Sequence, residues 1–132
     1  MFTWSGGAWS EGQKLVASNG VNADRFGTSV SVGGNSLVVG AYGRISNRGN
    51  IFRGGYMAAD LTSCTGSVYV YATSDGSLSW SEQQVLAASD GAAGDDFGYA
   101  IALYNDMIVV GVHFDDNIKG NNAGASNMFL NF

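Results

Sequence analysis

The sequence predicts an all-β protein, because its apolar residues stand in short runs that are separated by turn-forming residues. The 132 residues include 20 glycines and no proline, and Ser, Asn and Asp recur between the apolar runs. Those runs are rich in Val, Ile, Leu, Tyr and Phe, which favour strands over long helices. A chain of this length corresponds to one ordinary domain or less.

An internal repeat is the second observation that supports this fold class. The stretch WSEGQKLVASNGVNADRFGTSVSVGGNSLVVGA, from Trp9, aligns without a gap with WSEQQVLAASDGAAGDDFGYAIALYNDMIVVGV, from Trp80, at an offset of 71 residues. The identical residues include the Trp that opens each copy, the Asp-x-Phe-Gly in the middle and the Val-Val-Gly near the end. The chain therefore contains a duplicated structural unit.

Each unit is predicted to contain four strands. The predicted strands are at residues 9–17, 28–32, 37–40 and 66–71 in the first unit and at 80–88, 99–103 and 108–111 in the second. The third strand has no polar alternation, so both of its faces should be covered. The turns GGN and YND suit hairpins, because Gly, Asn and Asp tolerate a positive φ. A repeated four-stranded antiparallel sheet that is covered on both faces is typical of a β-propeller blade.

The strings DRFGTSVSV…LVVGA and DDFGYAIAL…IVVGV resemble FG-GAP repeats, the blades of integrin α-subunit propellers and of many bacterial and algal surface proteins. The leading W-x-E-x-Q-x-L and the A-S-D-G that follows are similar to the second FG-GAP subfamily. The resemblance covers roughly residues 9–43 and 66–112. It implies a propeller fold with binding and scaffolding roles, no reaction, and a place at the cell surface or in the extracellular space.

Both ends of the chain are predicted to belong to incomplete blades. FTWSGGAWSE at the start is similar to YATSDGSLSWSE from Tyr71, so Met1 and Phe2 are expected to end a fourth strand. Near the other end, GASNMFLNF takes the place of GSVYVY, with Asn127 and Asn131 interrupting the apolar pattern. This last strand is therefore predicted to be degenerate.

The predicted organisation has three segments. They are the end of a preceding blade at residues 1–8, a first blade at 9–71 with a loop insertion at 44–65, and a second blade at 72–132. Propellers usually need about 4–8 blades to close, so about two repeats predict an incomplete propeller. It would be a piece of a larger propeller, or a reduced one whose open faces partners cover. A two-sheet sandwich that folds alone is the alternative.

Acidic residues predict a candidate calcium site at one edge of the second unit. Antiparallel order brings the loop between the first two strands to the same edge as the loop after the third strand. Calcium prefers about six to eight hard oxygen ligands. The carboxylates gathered at this edge are Asp90, Asp95, Asp96, Asp115 and Asp116.

Two observations favour a structural role for part of this edge. The first unit has Asn19, Arg25 and Arg44 at three of the acidic places, and the calcium motif of integrin blades is missing. Asp24 and Asp95 precede Phe-Gly in both units, which predicts that their carboxylates close an Asx-type turn. No cofactor is required on this interpretation, and calcium is the one candidate ion.

The insertion at residues 44–64 is predicted to be a partner-binding loop or, as the alternative, a solvated one. Long loops on a rigid scaffold often carry function, and arginine and aromatic residues are enriched at protein interfaces. The candidate partner-binding residues are Arg44, Arg48, Phe52, Arg53 and Tyr56.

Other repeated residues are expected to be structural. Phe26 and Phe97 are expected in the core, and the glycine after each should allow close backbone approach between sheets. Trp9 and Trp80 could be exposed ligand platforms, but their identical place in both units favours packing.

Several classes of function are excluded or weakened by the sequence. The net charge of −5 argues against nucleic-acid binding. No apolar run approaches the roughly 20 residues of a membrane span, and no signal peptide is visible at the N-terminus. An organelle lumen therefore remains an alternative to the cell surface. The single histidine, His113, has no partner Ser or Cys motif, so no catalysis is predicted.

The sequence thus predicts a non-catalytic protein–protein interaction or scaffolding module. Its partners would be other protein subunits or further propeller blades. The alternative is a calcium-dependent ligand- or glycan-binding domain that uses the acidic edge.

Overall fold

The computed structural model describes residues 1–20, 24–43, 65–76, 79–92 and 94–130. Every regular element in that part of the chain is a β-strand, which confirms the all-β prediction. The strands in chain order are β1 (Phe2–Ser5), β2 (Ala8–Glu11), β3 (Ser29–Gly33), β4 (Ser36–Ala41), β5 (Ser67–Ala72), β6 (Ser81–Leu86), β7 (Ala100–Tyr104), β8 (Met107–Val112) and β9 (Ala125–Leu130).

The strands form three antiparallel sheets. The first sheet is β1-β2, the middle sheet has the order β3-β4-β5-β6, and the last sheet has the order β7-β8-β9. Over the described residues these sheets stay open and do not close into a ring. The prediction of antiparallel blades of an incomplete propeller is therefore confirmed.

The predicted order of strands within a sheet is wrong. The strand that follows Trp80 was expected to open its own sheet, but β6 pairs with β5 and completes the middle sheet. Eight residues, 73–80, join β5 to β6, whereas thirteen, 87–99, separate β6 from β7. The shorter connection favours pairing of the neighbouring strands as a hairpin. The division into segments 1–8, 9–71 and 72–132 concerns the sequence repeat and stays a prediction.

The two central strands of the middle sheet, β4 and β5, are buried on both faces, as the apolar third strand predicts. Val38 is 0% exposed and points to one face, whereas its neighbour Val39 is 3% exposed and points to the other. The alternation continues in β5, where Val68 and Val70 share the face of Val38, and Tyr69 shares the face of Val39. Each face packs against a neighbouring part of the chain. We call each of these two packing interfaces a seam.

The first seam joins the middle sheet to the segment before it. The middle sheet contributes Val39, Ala41, Tyr69, Tyr71 and Trp80, and the partly buried side chains packed on them are Met1, Leu15, Ala17, Phe26 and Leu37. The extended residues that follow β2 therefore cover the outer part of this face.

The second seam joins the middle sheet to the last sheet. Its buried side chains are Val38, Val68, Val70, Leu86, Phe97, Ile108, Val110 and Val112. Residues 71 positions apart hold the same place in the two seams: Leu15 corresponds to Leu86, Phe26 to Phe97, and Val39 to Val110. The repeat in the sequence thus corresponds to a repeat of the seam.

Candidate functional site

The Asp-x-Phe-Gly turn precedes β3 in the first unit and β7 in the second, which are the inner strands of their sheets. It has the same backbone geometry in both units. The residue before Phe has a positive φ in each unit, 56° at Arg25 and 62° at Asp96. The carbonyl of this residue accepts a hydrogen bond from the residue three positions on, at 3.2 Å from Thr28 N and 3.1 Å from Tyr99 N. The turn thus aims Phe97, which is 0% exposed, into the second seam.

Gly98 allows close approach between the middle and last sheets, as predicted. A Cβ at Gly98 would lie 2.7 Å from the carbonyl oxygen of Ser67 and 3.3 Å from Val68 Cγ2. A Cβ at Gly66 would collide with the carbonyl oxygen of Phe97. At Gly27 no atom of the described residues lies within 4 Å of the Cβ position, so there the prediction of close approach is wrong, and glycine serves the φ of +92° instead.

Asp95 closes the acidic loop with its side chain. Its Oδ2 accepts a hydrogen bond from Ala92 N at 2.7 Å, and its backbone carbonyl accepts one from Phe114 N at 3.3 Å. In the first unit the carbonyl of Asp24 likewise accepts a bond from Gly43 N at 3.1 Å. The carboxylate of Asp95 bonds to a preceding residue, whereas an Asx turn would use a following one. The carboxylate of Asp95 therefore accepts a backbone N–H bond, as predicted, but the prediction of an Asx-type turn is wrong for this residue.

The loops of the second unit meet at one edge, but their acidic residues differ in burial. Asp95, Asp96 and Asp115 are buried, whereas Asp90 and Asp116 are exposed. Asn117 Nδ2 donates to Asp115 Oδ1 at 3.0 Å, and Asn122 N donates to Asp116 Oδ1 at 2.6 Å. Among the described residues no three carboxylate, imidazole or thiol side chains are grouped to hold a metal. The calcium site at Asp90, Asp95, Asp96, Asp115 and Asp116 stays a prediction.

Asp96 and His113 form a contact that the sequence interpretation missed. Asp96 is 1% exposed, and its Oδ2 lies 3.8 Å from His113 Nε2. In the first unit the two equivalent positions hold Arg25 and Tyr42, where the guanidinium carbon lies 5.1 Å from the ring centroid and Arg25 donates to the Tyr42 hydroxyl. The joint replacement of Arg-Tyr by Asp-His between the two copies is a signal that could have revealed this contact.

The first seam is held by polar contacts around Trp80. Gln13 Nε2 donates to the carbonyl oxygen of Trp80 at 2.9 Å, and Trp80 N donates to Gln13 Oε1 at 2.6 Å. Ser18 Oγ donates to Glu82 Oε1 at 2.6 Å.

The Tyr71 hydroxyl donates to the carbonyl oxygen of Val16 at 3.0 Å. Burial, and then the nearby Glu82 carboxylate, raise the pKa of Tyr71 to about 12.

Trp9 and Trp80 have different environments despite their equivalent places. Trp80 is 5% exposed in the first seam, which confirms its predicted packing role. Trp9 is 66% exposed and forms an edge-to-face pair with Trp4, with ring centroids 5.5 Å apart. For Trp9 the prediction of a packed position is wrong, because β1 and β2 contact no other strand among the described ones.

The outward face of the last sheet carries exposed apolar side chains. Tyr104, Met128 and Leu130 are 70%, 61% and 62% exposed. By strand register, Met128 corresponds to Val70 of the middle sheet, because Met128 pairs with Val109 as Val70 pairs with Val38. Val70 is buried in the second seam. The face that is buried in the middle sheet is therefore exposed to solvent in the last sheet.

The predicted partner-binding loop lies outside the described residues. This applies to Arg44, Arg48, Phe52, Arg53 and Tyr56, so their role remains a prediction. The described part of the chain has no helix with the length and apolar character needed to cross a membrane.

Comparison with protein families gives two matches in this chain. The model described as FG-GAP repeat matches residues 9–71 and residues 80–129. The first match begins at Trp9 and the second at Trp80, which are the starts of the two aligned copies. Comparison with curated proteins and with solved structures found no match.

Proposed function

Because the chain belongs to the FG-GAP repeat family, we propose that it is a non-catalytic protein–protein interaction or scaffolding module. It would act as a propeller fragment or as an accessory subunit of a larger assembly. FG-GAP repeats are typically interaction modules built as propellers, their fold is generally not enzymatic, and they are usually extracellular. The proposed location is accordingly the cell surface or the extracellular space.

The outward face of the last sheet is the observation that carries this proposal. Met128 and Leu130 are both more than half exposed on that face, and Met107 lies between Leu130 and the exposed Tyr104. Contiguous exposed apolar side chains on a soluble domain typically mark an interaction site. Burying a side chain of this size contributes roughly 1.5–3 kcal/mol, so a partner that covers this face would gain substantial binding energy.

The loop at residues 44–64 is proposed as a second contact with a partner. It holds half of the basic residues of the chain, Arg44, Arg48 and Arg53, together with Phe52 and Tyr56. Arginine and aromatic side chains together favour a protein interface over a solvated loop. This loop is inserted in the first unit alone, so it would give the assembly its specificity.

The proposal is tested by the native mass of the particle that contains this chain in its own source. Native mass spectrometry should find a particle heavier than the 13.7 kDa of the chain, with the chain as one component. A particle of 13.7 kDa would overturn the proposal. The paired substitution Arg53→Ala and Tyr56→Ala should lower the recovery of the partner, whereas Ile118→Ala, on a side chain that is 99% exposed, should not.

Calcium-dependent ligand or glycan binding is the second candidate function. It is supported by the burial of Asp95, Asp96 and Asp115 at the edge where the two loops of the second unit meet. Calcium at 100 times its Kd should then add roughly 2.7 kcal/mol to the free energy of unfolding. The test is thermal unfolding of the chain with calcium and with EDTA, and identical melting temperatures would exclude this function.

A further inference from the structure

We propose that the chain associates with a second copy of itself head-to-tail, through the outward face of its last sheet and the open inner part of the middle sheet of the other copy. The docking position on the middle sheet is β3, at Val30 and Val32. This inference names a partner for the proposed interaction module and therefore rests on that function.

The inner part of the middle sheet is uncovered on the side of the first seam. Val30 and Val32 of β3 are 63% and 62% exposed. They share a face with Val39, because Val30 pairs with Val39 across β3 and β4. Residues 13–19 cover the outer part of that face, but β1 and β2 contact no strand of the middle sheet. An apolar strip along β3 is thus left open.

In the second seam, the position that is equivalent to this strip is covered. Ile101 and Leu103 of β7 are equivalent to Val30 and Val32, and both pack against the core of the second seam. The strand that covers them is β3, whose Ser29 Oγ donates to the carbonyl oxygen of Gly98 at 2.7 Å. Leu103 N donates to Ser31 Oγ at 3.1 Å. The chain itself therefore contains one example of the contact, in which the inner strand of one sheet packs on that of the next.

The last sheet presents the surface that would make this contact again. Its inner strand, β7, has Ala100 and Ala102 at the places of Ser29 and Ser31, on the outward face. Beside them Val109 takes the place of Val38. Because alanine has no hydroxyl, this face cannot repeat the hydrogen bonds that Ser29 and Ser31 make in the second seam, and the contact would depend on apolar packing.

A second copy fits this pair of surfaces because the two surfaces differ and complement each other. The outward face of the last sheet corresponds to the side of the second seam that Val38 and Val70 form. The strip at Val30 and Val32 corresponds to the opposite side, which Ile101 and Leu103 form. Since each copy carries one of each, the contact is heterologous, and repeated use of it builds rings or chains of copies.

The experiment uses the 132-residue chain and two variants, each blocked on one surface. Val32→Asp places a charge on the middle sheet, and Met128→Asp places one on the last sheet, both at side chains that are more than 60% exposed. Ile118→Asp, at a 99% exposed position outside both surfaces, is the matched control. Mass is measured by sedimentation velocity over a range of concentrations, and far-UV circular dichroism checks that each variant is folded.

The expected result separates this proposal from other modes of association. The unmodified chain and Ile118→Asp should grow in mass with concentration, and each blocked variant alone should stay at 13.7 kDa. An equimolar mixture of the two blocked variants should form a 1:1 dimer, because one intact surface of each kind remains. If a variant is unfolded, Val30→Asp or Leu130→Asp replaces it on the same surface.

Two outcomes would overturn the proposal. One is an unmodified chain that stays monomeric at all concentrations, and the other is a mixture of the blocked variants that does not associate. Neither outcome touches the proposed function, which depends on the mass of the native particle. A heavy native particle that contains foreign subunits would support that function even if self-association failed.

Discussion

Asp96 and His113 lie in contact, with 3.8 Å between Asp96 Oδ2 and His113 Nε2, at the two positions that Arg25 and Tyr42 occupy in the first unit. The backbone at the two turns has a similar positive φ, 56° at Arg25 and 62° at Asp96, while the chemistry of the pair changes. A cation on an aromatic ring in one unit becomes a carboxylate beside an imidazole in the other. Both residues of the contact have changed together, which fits direct coupling between them.

We expect this coupling to be measurable when the pair of the second unit is moved into the first. Arg25→Asp and Tyr42→His should each lower the free energy of unfolding, because each leaves one residue without its matched partner. The double variant should lose less than the sum, with a coupling energy of about 0.5–1 kcal/mol. Urea unfolding of the four proteins measures this energy, and additive losses would show that the two positions act independently.

The two glycines of the Phe-Gly turns provide a matched pair for separating backbone strain from a steric clash. Gly27→Ala should cost about 1–2 kcal/mol, because its left-handed backbone disfavours a Cβ while the surrounding space is open. Gly98→Ala has the same strain and also pushes a Cβ against Ser67 O, which should cost roughly 1–3 kcal/mol more. Chemical denaturation of both variants gives the comparison. Equal losses would contradict the close approach at Gly98.

Gln13 is expected to stabilise the first seam through its two hydrogen bonds to the backbone of Trp80. Gln13→Ala removes both bonds and should lower the free energy of unfolding by roughly 1–3 kcal/mol. The equivalent residue of the second unit, Gln84, is exposed on β6, so Gln84→Ala should change stability by less than about 0.5 kcal/mol. Thermal and urea unfolding test the difference, and similar effects of the two substitutions would refute the contact.

Tyr71 should make the protein sensitive to alkaline pH. Its pKa in the folded chain is raised to about 12, mainly by burial and then by Glu82, from an ordinary value of 10.0. A raised pKa means that folding favours the neutral phenol, so this contribution to stability is complete below pH 10 and is lost as the pH rises towards 12. Tyr71→Phe cannot ionise and should therefore show a smaller loss over that range.

The measurement for Tyr71 is the urea midpoint of both proteins between pH 8 and pH 12. Tyr71→Phe also loses the hydrogen bond to Val16 O, which should lower its stability by about 1 kcal/mol at pH 8. The two curves should approach each other as the pH rises. Parallel curves would mean that Tyr71 ionises in the folded chain as readily as in the unfolded one.

Much of the fold was predictable because it depends on local sequence patterns, and these patterns occur in both copies of the repeat. Turn residues and apolar runs predict strands, and the absence of polar alternation in β4 predicts burial on both faces, which Val38 and Val39 confirm. The repeat itself predicts that Leu15 and Leu86 have equivalent roles, and they lie in equivalent seams. The contact of Asp96 with His113 was missed, because strand order places their two loops at one edge but does not give the distance between individual side chains.

The sequence by itself determined the all-β class, the repeated unit and the burial of the third strand on both faces, since periodicity and turn chemistry are local properties. Only the tertiary structure decided which strands share a sheet and which of two identical residues is covered. Trp9 and Trp80, or Gly27 and Gly98, have equivalent positions in the sequence repeat but different neighbours in space. Burial and close approach depend on the sheet that packs against a residue, and the residue's own sequence context does not contain that information.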